Sequence, residues 1–134
     1  MNVAYDLWLH STSNPSWGEN ATDEPTDEIM IWLYRTGGAG PISADGKPEL
    51  TANIAGASWE LHEGAIPGAW KVHSFVRTSN STTGQALDLN DFMQLLVEKG
   101  YMPSSRYLSG IEAGTEPFRG QGRVDTSSWG CVLP

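Results

Sequence analysis

The sequence predicts an all-β domain, a β-sandwich with one helix on the outside of a sheet. Three observations carry that reading. Short segments of two-residue alternation recur along the chain, turn-forming residues separate them, and one stretch alone shows helical spacing. The 134 residues have room for one such domain, taken as residues 1–134.

The first strand runs from Asn2 to Ser11. Val3, Tyr5, Leu7 and Leu9 share one face, and Ala4, Asp6, Trp8 and His10 share the other. Residues 12 to 27 are rich in Ser, Asn, Pro, Gly, Asp and Glu and read as a long loop. Glu28 to Tyr34 is the second strand, with Ile29, Ile31 and Leu33 on the core face and Glu28, Met30, Trp32 and Tyr34 opposite. Gly37-Gly-Ala-Gly-Pro41 breaks the alternation as a turn. Strands follow at Thr51 to Ala55 and Ser58 to His62. Gly64 and Pro67-Gly68 mark a hairpin, and Trp70 to Arg77 returns as a strand. Leu89, Phe92, Met93 and Leu96 fall at helical spacing, with Asp88 as N-cap and Gly100 in the C′ position of a helix over 89–99. Tyr107 to Ala113 is a further strand, and Arg123 to Val132 is expected to be the last.

Composition narrows the function classes. Sixteen acidic against eight basic residues give a net charge of −8, which argues against a nucleic acid or an anionic membrane as partner. No apolar run is long enough to span a membrane. Cys131 is the single cysteine, and His10, His62 and His73 share no metal-ligand spacing. Asp23, Glu24, Asp27 and Glu28 cluster without matching a calcium-binding loop. No metal site is expected. Asn20 and Asn80 stand in glycosylation sequons, weak signs of secretion. The N-terminus has neither the basic nor the apolar region of a signal peptide.

The polar faces of the first two strands carry the chemistry. Paired antiparallel, they set Asp6, Trp8, Glu28, Met30 and Trp32 on one side of a sheet. A solvated face normally shows Lys, Thr and Ser. Carboxylates beside aromatic plates instead suit a sugar cleft, where rings stack on indoles and carboxyls move protons or attack carbon. Cleavage of a glycosidic bond needs two such carboxyls, about 5–5.5 Å apart for retention of configuration and about 6.5–9.5 Å apart for inversion. Composition alone does not choose the pair among sixteen acidic residues.

Several motifs in register make that choice. Asn2-Val-Ala-Tyr-Asp-Leu-Trp8, Glu28-Ile-Met-Ile-Trp-Leu33, Gly37-Gly-Ala-Gly-Pro-Ile-Ser43, Ser58-Trp-Glu-Leu61, Val72-His-Ser-Phe-Val76 and Ala113-Gly-Thr-Glu-Pro-Phe118 resemble, in order, the motifs of glycoside hydrolase family 12. The resemblance covers nearly all of the chain. It implies a curved, concanavalin-like jelly roll and a retaining endo-β-1,4-glucanase that needs no cofactor. By position, Glu28 matches the nucleophile, Glu116 the general acid/base and Asp6 the acidic neighbour of the nucleophile. Trp32, Met30 and Trp8 match cleft positions that bind substrate. A β-glucan polysaccharide is the implied partner of a secreted, monomeric protein. The turn at Gly37 to Pro41 is more similar to xyloglucan-acting members than to those acting on cellulose or mixed-linkage glucan.

Family domains are longer than this chain, and the difference falls on the N-terminal side. Strands of both sheets that precede Asn2 are therefore expected to be missing, leaving open edges and lower stability. The reading that competes with an enzyme is a catalytically inactive sugar binder or inhibitor decoy; retention of both Glu28 and Glu116 speaks against it.

Overall fold

The computed structural model describes residues 1–16, 22–83 and 86–132. In chain order the elements are β1 (Asn2–His10), β2 (Asp27–Arg35), β3 (Leu50–Ile54), β4 (Ala57–Ala65), β5 (Lys71–Arg77), α1 (Leu89–Glu98) and β6 (Tyr107–Gly114). The strands form one six-stranded sheet in the order β3-β4-β5-β2-β1-β6. Neighbours are antiparallel except β2 and β5, which run parallel with Glu28 opposite Val72. The expected all-β class is present, with one helix among the described residues.

Alternation gives the sheet two distinct faces. Leu7 and Leu9 of β1, Ile29, Ile31 and Leu33 of β2, Trp59 and Leu61 of β4 and Phe75 of β5 are buried together on one of them. Helix α1 covers this face, as its apolar stripe predicts. Phe92 stands edge-on to both Trp59 and Phe75, with ring centroids 5.1 Å apart in each pair, and Leu96 is fully buried beside them. Truncating such a ring to Ala costs about 3–5 kcal/mol. The Asp88 side chain accepts from the Asn90 N–H at 3.0 Å, satisfying a donor at the helix start. At the other end Gly100 adopts φ +78°, which lets the chain leave the helix at the position where an L side chain would be strained.

The opposite face carries a smaller apolar patch of Ala4, Met30, Trp32, Ala39, Val72 and Val76, with Ile66 and Trp70 packed against it. It lies beneath the carboxyl groups described below.

Four sequence expectations change. Val3 precedes an irregularity in the β1–β2 pairing and joins neither apolar cluster of the described residues. Gly64 does not mark the hairpin. It lies inside β4, where an added Cβ would come within 2.9 Å of the Ile42 backbone, so glycine there lets the segment after the Gly37–Pro41 turn cross close to the strand. Trp70 lies just ahead of β5 rather than in it. Finally, Arg123 to Val132 forms no strand. Alternation there sets Val124 among Thr126 and Ser128, so neither side offers an apolar face, and Arg123 spends its guanidinium locally on Asp125 at 2.8 Å. The Asn80 side chain binds the backbone N–H and C=O of Arg35 at 3.0 and 2.8 Å; Asn20 lies outside the described residues.

A buried ionic network anchors β2 from the helix-covered side. His73 is fully buried. Its Nδ1 lies 2.8 Å from both Glu63 carboxyl oxygens, and its Nε2 lies 3.1 Å from Asp27 Oδ1. Arg106 Nε donates to the second Asp27 oxygen at 2.6 Å. Burial alone would push the Asp27 carboxyl up, but hydrogen bonds from His73, Thr26 and Arg106 outweigh it and hold it at about 2. Burial likewise opposes a charged His73, yet its two carboxylate partners raise its pKa above the ordinary value.

Candidate active site

Four carboxyl groups gather on the face opposite α1. Pairing fixes three of them. Asp6 stands opposite Met30 on one side and Glu112 on the other, so β2, β1 and β6 contribute one transverse row, and Glu28 is one pleat away, opposite Trp8. The fourth, Glu116, lies two residues beyond the end of β6. Asn2 holds it there. The Asn2 amide donates from Nδ2 to Glu116 Oε2 at 2.6 Å and accepts the Glu116 backbone N–H at 2.8 Å, while the Asn2 N–H donates to the Glu116 carbonyl at 3.3 Å. A side chain beyond a strand end thus gains a fixed position from the first residue of β1.

Asp6, Glu112 and Glu116 line a groove of about 470 Å³ together with Asn2, Ala4 and Trp129. Glu28 lies outside this lining and is 8% exposed. Trp70 Nε1 donates to its Oε2 at 2.7 Å. Trp8 meets Trp70 edge-on at 5.3 Å between ring centroids, and its Nε1 donates to Glu112 Oε2 at 3.3 Å. Met30 and Trp32 are buried beneath the site, and Phe118 covers Trp32 edge-on at 6.1 Å.

The carboxyls act on one another. Asp6 is pushed up to about 7, first by burial and then by the charges of Glu28, Glu116 and Glu112. Its Oδ1 has no hydrogen-bond partner among the described residues. Glu28 is also raised, first by burial, with the charges of Glu116 and Glu112 adding to it, while the Trp70 hydrogen bond works in the opposite direction. Close carboxyls resist ionising together, so the proton concentrates on the member whose charge is least supported. That member is Asp6. Glu28, with a donor on Oε2, is the better placed to carry charge. Among the described residues no group of three or more metal-ligating side chains converges.

Sequence reasoning singled out Asp6, Trp8, Glu28, Met30, Trp32 and Glu116, and the fold brings all six to the same side of the sheet. It passed over Asn2, Trp70 and Glu112. Glu112 occupies a polar position in an alternating strand, a signal visible in the sequence. Its partner across the strands is not.

The sequence profile described as "Glycosyl hydrolase family 12" matches residues 1–133, and the chain belongs to that family. It is 43% identical over 127 residues to a protein of Aspergillus terreus named a probable xyloglucan-specific endo-beta-1,4-glucanase A, covering 95% of this chain and 47% of that one. It is 46% identical over 133 residues to an inactive glycoside hydrolase of Phytophthora nicotianae, covering 98% of this chain and 52% of the relative. Among solved structures, the native family 12 xyloglucanase from Bacillus licheniformis superposes with a TM-score of 0.76 at 39% identity, covering 87% of this chain and 49% of that chain. The chain spans about half the length of the curated relatives it matches. The jelly-roll class expected from sequence is the class of these structural neighbours.

Proposed function

We propose that this chain carries the catalytic carboxyls of a retaining endo-β-1,4-glucanase, with Glu28 as nucleophile and Glu116 as general acid/base. Glu116 gives its proton to the glycosidic oxygen as the bond to the anomeric carbon breaks. Glu28 attacks that carbon and forms a glycosyl ester. Water then attacks the same carbon, Glu116 takes the water proton, and the Glu28 carboxylate leaves. Asp6 holds a proton beside Glu28 in mildly acidic solution and hands it no competing negative charge. The observation that carries the reading is the convergence of Asp6, Glu28 and Glu116 from two strands and a post-strand segment: Asp6 is raised by burial and by the charges of Glu28 and Glu116, and Glu28 by burial and by the charge of Glu116. Such separated carboxyl environments allow one group to be charged while another stays neutral.

Trp8, Met30 and Trp32 serve as the floor and wall of the sugar site in this reading. The names of the relatives and the Gly37–Pro41 turn favour xyloglucan over unbranched β-glucans as substrate. A polymeric substrate of this kind is too large to enter a cell, so the reading places the enzyme outside it, acting as a monomer.

Reducing-sugar release from xyloglucan and from β-glucan tests the proposal, with Glu28→Gln and Glu116→Gln alongside. Hydrolysis by the parent that both variants abolish supports it. A folded parent without hydrolysis rejects it. The Phytophthora relative favours one alternative, a non-catalytic sugar binder. Glucan binding that survives Glu116→Gln in the absence of any parental hydrolysis would select that alternative.

A further inference from the structure

We infer that Trp70 is a positioning residue for Glu28, pinning Oε2 through its indole N–H and leaving Oε1 as the attacking oxygen. The inference rests on the reading of Glu28 as nucleophile. A glutamate's terminal torsion is soft, so an unrestrained carboxylate samples many orientations about that bond. The 2.7 Å contact from Trp70 Nε1 removes that freedom and has the length of a charge-assisted hydrogen bond. Indole N–H is a donor only, so it supports the ionised carboxylate, the form that attacks.

Trp70 is itself held. The Ile66 N–H donates to the Trp70 carbonyl at 2.9 Å and the Ala69 N–H to the Ile66 carbonyl at 3.0 Å, which closes the turn between β4 and β5. The next residue, Lys71, donates its N–H to the Thr26 carbonyl at 3.1 Å, tying this turn to the chain just ahead of β2. The parallel register that sets Glu28 opposite Val72 then fixes indole and carboxyl relative to each other. On the far side the edge-on contact with Trp8 limits tilting of the ring, and Trp8 in turn holds Glu112. Two interlocked indoles thus serve two different carboxyls.

Carboxyl-carbon NMR titration of the 134-residue chain reads this directly, with the Glu28 signal assigned by its loss in Glu28→Gln. Trp70→Phe keeps an apolar ring and removes the donor, so the Glu28 midpoint should rise by about one pH unit. In the parent, the Trp70 indole N–H signal should follow the same titration and lose that response in Glu28→Gln, a measurement that needs no Trp70 variant to fold. An unmoved Glu28 midpoint in folded Trp70→Phe, or an indole signal flat across the Glu28 titration, overturns the inference. In hydrolysis, Trp70→Phe should lower kcat about tenfold and leave KM within about twofold. A loss confined to KM would make Trp70 a sugar-stacking plate and overturn the positioning role. Absence of hydrolysis in the folded parent would reject the function proposed for Glu28 and Glu116, and the two titrations would still decide whether Trp70 holds the carboxylate.

Discussion

Asp27 and Glu28 are consecutive residues on one strand, and they meet opposite electrostatic worlds. Asp27 turns toward the helix-covered side, where His73 and Arg106 hold it at about 2. Glu28 turns the other way, toward Asp6, Glu112 and Glu116, and its affinity for a proton rises. Both are buried, at 1% and 8% exposure, so burial does not separate them. The neighbours do. Cationic partners convert a buried carboxyl into a structural anion, whereas other carboxyls leave it ready to exchange a proton. A strand that alternates its faces can place both kinds of acid one residue apart.

The largest effect that would sharpen this contrast is on activity. Glu28→Gln and Glu116→Gln should each lower glucan hydrolysis about a hundredfold or more, measured as reducing-sugar release, without a matching loss of stability. The structural acid behaves differently. His73→Phe leaves Glu63 without its buried cation and Asp27 with Arg106 as its remaining cation, and should cost about 3–5 kcal/mol in urea denaturation. The pH dependence of the parent follows from the same network. Asp27 lies below its ordinary 3.8, so its contribution is complete above that value and is lost as pH falls toward 2. His73 lies above its ordinary 6.5, so its contribution is complete below 6.5 and is lost as pH rises through the folded-state value. The network is therefore strongest between about pH 4 and about pH 6.5, and His73→Phe should flatten the alkaline decline of the thermal midpoint.

Asp6 gives a smaller effect of opposite sense. Its folded value of about 7 exceeds the ordinary 3.8, so the folded state binds the extra proton between these limits and stability falls as pH rises through them. Asp6→Asn mimics the neutral form. It should match the parent at about pH 4 and exceed it by about 2–4 kcal/mol at about pH 8, read from denaturation curves at the two pH values. The smallest effect belongs to Glu60, which meets Arg35 at 3.9 Å with both side chains about a third exposed. Glu60→Gln should change stability by less than about 1 kcal/mol.

Local pattern made much of this legible. Alternation in residues 2–10 and 28–34 located β1 and β2 and, Val3 excepted, sorted their faces, because successive side chains of a strand point to opposite sides of the sheet. Asp88 and Gly100 bounded the helix through chemistry confined to its own ends. Legibility failed where meaning depends on a distant partner. Asp27 read as the end of an acidic loop, because its partners lie 46 and 79 positions away at His73 and Arg106. Trp70 read as an ordinary strand residue, because only the parallel pairing of β5 with β2 brings it to Glu28. The expected strand at residues 123–132 failed for the converse reason. Its apolar residues are scattered, with Val124, Trp129 and Val132 all exposed and polar residues or glycine between them, so no continuous apolar side is buried.

The hold of Asn2 on Glu116 also has a kinetic meaning. The two residues are 114 positions apart, so their hydrogen bonds close nearly the longest loop the chain can form. Loop-closure entropy and high contact order slow contacts of this kind, whereas α1 forms from neighbours. Refolding should therefore restore helical circular dichroism first and the docking of Glu116 last. Any hydrolytic activity would return with that late phase, when Glu116 takes its place beside Asn2.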